Sequence, residues 1–161
     1  MIIRWLYSIF LAALLVTFVG VGIAAFYKGP KPPEYPVSIK YLESQPVTSP
    51  SAQTIAQNRE FDRKQKEYIE KNEKYNKNVS TIAIAAALII LVASISLLGK
   101  ILYLSDGLLL GGVLTLGYAI VRGFGSGDEM FRFIVVTIGL VVVIFLGYWK
   151  FVRTLKFTSK K

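Results

Sequence analysis

The chain has 161 residues, 53% of them hydrophobic, with a mean hydropathy of +0.51 and a formal net charge of +9. A soluble domain of this size cannot bury so much apolar surface, so lipid must be the solvent for much of it. Cysteine and histidine are both absent, which excludes disulfides and thiolate nucleophiles and removes the commonest general base and metal ligand.

The first apolar run covers residues 5–27, with Trp5 and Tyr7 at one end and Phe26 and Tyr27 at the other, where aromatic rings suit the two membrane interfaces. It is longer than the core of about 7 to 15 residues of a cleaved signal peptide. An uncleaved anchor helix is expected over 1–28. Residues 29–50 then hold all six prolines, Pro30, Pro32, Pro33, Pro36, Pro46 and Pro50. Proline fixes its own φ and drives the preceding residue toward extended backbone, which predicts a semi-rigid connector; a ligand for a proline-recognising domain is the alternative.

Residues 51–78 are charged and helix-favouring, with Ser51 as a candidate cap. Glu60 and Lys64, Asp62 and Lys66, Glu67 and Lys71, Glu70 and Lys74, and Glu73 and Lys77 all place acid before base at i, i+4, the favourable orientation on a helix. Phe61, Tyr68 and Tyr75 recur every seven residues on one stripe that could pack on a partner helix or on the connector. Lys64, Gln65, Lys71 and Asn72 stand where a heptad needs apolar companions, so a self-sufficient coiled coil is not expected.

The second apolar run, 79–98, follows with no break signal, which predicts one rod from stalk into membrane. Gly99 and Lys100 mark a turn, and a third run covers 101–121. A glycine-rich polar loop at 122–129 and a fourth run at 131–149 complete a three-helix region over 79–150. A basic tail follows at 151–161.

Few residues in this frame carry chemistry. Asp106 is the one acid inside an apolar run. Near the predicted turn it can cap the third helix, with an ion pathway as the alternative. Gly107 and Gly111 form a G-x-x-x-G pair, with Gly112 beside them; small residues let helices approach closely, within one chain or between copies. Gly123-Phe124-Gly125-Ser126-Gly127 lacks the Lys-Ser/Thr ending of a phosphate loop and the flanking glycine of a nucleophile elbow. It reads as a flexible turn. Asp128 and Glu129 are too few for a calcium or magnesium site, and Asn78-Val79-Ser80 abuts the apolar run too closely for glycosylation. No catalytic, metal or cofactor residue is expected.

Four crossings would group the termini with Arg4, Lys100, Lys150, Arg153, Lys156, Lys160 and Lys161 on one side. Lys28, Lys31, Arg122, Arg132 and the stalk lysines fall on the other. The short, purely basic tail favours cytoplasmic termini. Nucleic acid is not expected as a partner, because basic and aromatic residues do not interleave as a stacking platform.

The segment from Phe26 through Tyr27-Lys28-Gly29-Pro30 to Pro36, the Lys/Glu/Tyr stalk and Asp106-Gly107-Leu108-Leu109-Leu110-Gly111-Gly112 together resemble a type of four-helix bacterial membrane protein. The resemblance implies a cell-membrane location and no particular activity. Small multidrug transporters, with an acid in their first membrane helix, and tetraspanins, with cysteines in their large loop, fit less well.

The expected fold is all-α, a helical bundle of four transmembrane helices with a Pro-rich connector and a charged juxtamembrane helix between the first and second. The expected function is a non-enzymatic accessory or scaffold subunit that contacts another protein through connector and stalk, with lipid around it. A small homo-oligomeric channel or transporter is the alternative, in which self-association would bring Asp106 or the small-residue faces to a pore.

Overall fold

The computed structural model describes residues 2–34, 52–97 and 101–158, apart from the side chains of 52–54, 102 and 150–158. The connector beyond Glu34, the Ser51 cap, the turn at Gly99 and Lys100 and the last residues of the tail lie outside that range. The described residues are all-helical, with α1 at Ile2–Phe26, α2 at Ala52–Leu97, α3 at Leu102–Phe124 and α4 at Glu129–Thr158. All four are long and apolar enough to cross a membrane, the solution lipid imposes because each backbone polar group must be satisfied within its own segment.

α1 stops at Phe26, just before Lys28-Gly29-Pro30, where glycine and proline cannot prolong it. α2 contains neither residue over its 46 positions, so nothing breaks the helix where charged stalk gives way to apolar span. At about 1.5 Å per residue it is about 69 Å long, more than twice the hydrocarbon thickness of about 30 Å. Two predicted ion pairs form along its exposed face, Glu60 to Lys64 at 2.8 Å and Glu67 to Lys71 at 2.7 Å. Their lysines hold both carboxyls below the usual glutamate range, by hydrogen bonding first and by charge second. α4 outlasts its apolar run: the span ends at Trp149 and the helix continues to Thr158, since no glycine or proline interrupts the basic segment.

α2 and α3 form an antiparallel hairpin in which small residues set the spacing. Ala83, Ala87 and Ala119 are fully buried, and a Cβ on Gly112 would stand 2.5 Å from Leu91. Close to the C-terminal end of α2, buried Ser94 donates to the Ser105 carbonyl at 2.8 Å and Ser105 donates back to the Ser94 carbonyl at 2.9 Å. Such interhelical hydrogen bonds contribute about 0.6 kcal/mol each.

α1 runs parallel to α3. A Cβ on Gly107 would meet Leu11 at 2.8 Å, and one on Gly111 would meet Leu15 at 2.8 Å and the Ala12 backbone at 3.3 Å. α4 packs on the opposite end of α3, with Val135 against Gly123 and Gly139 against Ile120. α3 is therefore the central helix, and α1 and α4 expose most of their apolar surface.

Candidate functional site

The densest polar construction lies where α2 leaves the apolar bundle, at residues 73–80. Tyr75 points toward the end of α1. Its ring stacks on Tyr27 with centroids 5.2 Å apart and planes 3° from parallel, and its hydroxyl donates to the Tyr27 carbonyl at 3.2 Å. Asn78 Nδ2 donates to the Tyr27 hydroxyl at 2.7 Å. Gly29 passes so close that a Cβ there would lie 3.2 Å from the Tyr75 ring. The start of the connector is thus laid along the stalk.

Asn76, one helical step on, is buried and serves two neighbours. Its Oδ1 accepts from Arg122 Nη1 at 3.0 Å and its Nδ2 donates to the Gly125 carbonyl at 3.3 Å. Arg122 also donates from Nε to the Tyr118 hydroxyl at 3.2 Å, and its guanidinium lies 5.9 Å and 5.7 Å from the Tyr75 and Tyr118 ring centres. One arginine at the end of α3 therefore joins the loop, the stalk and the aromatic stack.

The third face of the stalk meets the glycine-rich loop. Gly127 has φ +69°, and any Cβ there would overlap the Glu73 carboxylate. Ser80 Oγ donates to the Ala119 carbonyl at 2.8 Å. Lys77 pairs with Asp128 at 3.0 Å and lies 5.0 Å from the Phe131 ring centre. The other Asp128 oxygen accepts from the Phe131 N–H at 3.1 Å and caps α4. That N–H first, and the Lys77 ammonium second, hold the Asp128 carboxyl below its ordinary range. The loop expected as a flexible turn lies folded onto the stalk: Ser126 is buried, and the glycines admit Asn76 and Glu73 where a Cβ could not stand.

Two residues of the aromatic stripe thus face the connector. Tyr75 is stacked on Tyr27, and Tyr68 borders a groove of about 340 Å³ with Lys64 and Lys71 opposite Pro30, Lys31 and Pro33. Phe61, half-buried, lies one heptad further along. The glycines Gly107, Gly111 and Gly112 are all used within the chain.

For Asp106 the capping reading is corrected. The N-cap position is Ile101, which makes no side-chain cap, and the Ser105 N–H already bonds to the Ile101 carbonyl at 3.0 Å. The helix starts a full turn before Asp106. Asp106 instead lines a groove of about 330 Å³ between α1 and α3, with Arg4, Trp5, Tyr103, Leu109 and Leu110. There Arg4 donates to the Tyr103 hydroxyl with its guanidinium 4.6 Å from the ring centre, and Ser8 donates to the Tyr103 carbonyl at 3.2 Å.

Sequence reasoning assigned Tyr27 to the interface, Arg122 to the charge balance and Asn78 to a glycosylation pattern, and passed over Asn76. The available signal was Asn76 and Asn78 flanking Lys77 at the edge of the apolar run, where amides can serve several partners without carrying charge into lipid. Comparison with known protein families, curated proteins and solved structures finds no match to this chain. What stands is a membrane protein of four apolar helices.

Proposed function

We propose that this chain is a non-enzymatic membrane scaffold, residing in the bacterial cell membrane with its termini in the cytoplasm, and that its stalk presents a surface to another protein. The observation that carries the reading is the clamp at residues 73–80. A solvated helix with no further role has no need of an arginine, two stacked tyrosines and a folded loop to fix its direction. The clamp joins α1, α3 and the loop before α4 to α2, which extends far beyond the bundle. Outboard of it, alternating charges keep the stalk soluble, while Ile55 and Ile69 remain exposed as apolar points for a partner's contact.

The test is affinity purification of the full chain in mild detergent beside Glu70→Pro, which breaks the stalk outboard of the clamp and leaves the spans intact. A foreign protein recovered in stoichiometric amount with the parent chain and lost with the proline variant supports the scaffold. Recovery of the chain alone, as a defined multimer, would overturn it in favour of a homo-oligomeric channel or transporter. Sidedness is tested separately with single cysteines at Gln53→Cys and Thr158→Cys in intact cells. An impermeant reagent is expected to label the first alone, and labelling of the second alone would reverse the orientation.

A further inference from the structure

We propose that the groove between the N-terminal ends of α1 and α3 binds one membrane phospholipid with a primary-ammonium headgroup, its phosphate on Arg4 and its ammonium on Asp106. Arg4, Trp5 and Tyr103 all lie within the first turns of two parallel spans, the depth at which arginine and interfacial aromatic rings meet headgroups. Arg4 is held in place by the Tyr103 hydroxyl and ring. A guanidinium has five N–H donors in a planar fork, so donors remain for bidentate contact with a phosphate.

Asp106 selects among phosphate-bearing lipids. A carboxylate in the same groove as the arginine repels a headgroup with net negative charge and favours one that brings a cation. An ammonium has three N–H donors to give it, whereas a trimethylammonium has none. The carboxylate has about four lone-pair sites, enough to serve neighbours in the chain and a ligand together. Further along the two helices Leu11 packs beside Gly107, and Leu109 and Leu110 give the groove apolar walls. Its volume of about 330 Å³ is roughly ten times the share of one water molecule, room for a headgroup. The bilayer supplies the ligand at high local concentration.

The experiment is native mass spectrometry of the full chain in mild detergent with phosphatidylethanolamine, phosphatidylcholine and phosphatidylglycerol of identical acyl chains. The expected result is retention of the ethanolamine lipid about tenfold above the other two, the order of one charge-assisted hydrogen bond. Asp106→Asn should abolish the preference for ethanolamine over choline lipid while choline-lipid retention holds, and Arg4→Gln should lower retention of all three. Ile9→Trp, which fills the groove and keeps both charges, should lower ethanolamine-lipid retention in protein whose helix content by circular dichroism is unchanged. Equal retention of ethanolamine and choline lipids by the parent chain, or an unaltered preference in Asp106→Asn, would overturn the proposal.

Discussion

The two ends of the bundle are built in opposite ways. At the stalk end Arg122 is enclosed by Asn76, Tyr75 and Tyr118, and α1, α2, α3 and the loop before α4 converge on residues 73–80. At the other end Arg4 rests on Tyr103 beside an open groove, with α1 and α3 as its walls. Between them the helices are held by alanine, glycine and serine at close approach, as lipid requires where apolar burial drives nothing. An arginine near a membrane surface can therefore fix an element in place or be left facing the surroundings, and the partners around it distinguish the two.

The strongest way to break this contrast is at Gly127. Gly127→Val combines a β-branched residue at positive φ with a clash against Glu73, and should destabilise the folded protein by about 2 kcal/mol or more in thermal unfolding in detergent. Hydrogen exchange should rise at residues 123–131 first. A matched pair of truncations comes next. Arg122→Ala removes a partner of buried Asn76 and should cost about 1 to 3 kcal/mol, whereas Arg4→Ala should stay within about 0.5 kcal/mol. Equal losses would mean that the ends do not differ in the way their contacts indicate.

Acid offers a milder probe of the clamp. Asp128 has its carboxyl lowered in the folded protein, by the Phe131 N–H and then Lys77, so its contribution is present above its unfolded value and disappears as pH falls through the folded one. Protection of the loop and the first turn of α4 against exchange, taken relative to the intrinsic amide rate at each pH, should be the same at pH 6 and pH 7 and should fall below about pH 4; Asp128→Asn should remove that dependence. The smallest effect belongs outboard. Glu60→Gln breaks an exposed pair with Lys64 and should leave the unfolding temperature unchanged within error, because solvent screens such pairs.

How much could be read beforehand follows the range of the interactions. Four spans were legible because continuous apolar helix is the form a single chain of this composition can take across lipid. The unbroken α2 was legible from the absence of glycine and proline. The clamp was not, since Tyr27 and Tyr75 stand 48 positions apart and Asn76 and Arg122 stand 46 apart, and no local periodicity links such residues. Asp106 misled for a different reason. Helix starts set by backbone alone leave no signature, and Ile101 opens α3 without any side-chain cap. The glycine-rich loop showed its permissive backbone in sequence but not the Glu73 and Asn76 groups that need it.

The length of α2 has a mechanical consequence. With its direction fixed at Tyr75, the residues from Ala52 to Lys74 form a lever of about 35 Å at 1.5 Å per residue. A change of about 10° in the tilt of the bundle would carry the far end through about 6 Å. Membranes of different thickness impose tilts of that order on spans of fixed length. A body touching the tip would thus meet a change in bundle tilt as a displacement of about 6 Å, while residues beside the clamp stay nearly where they are.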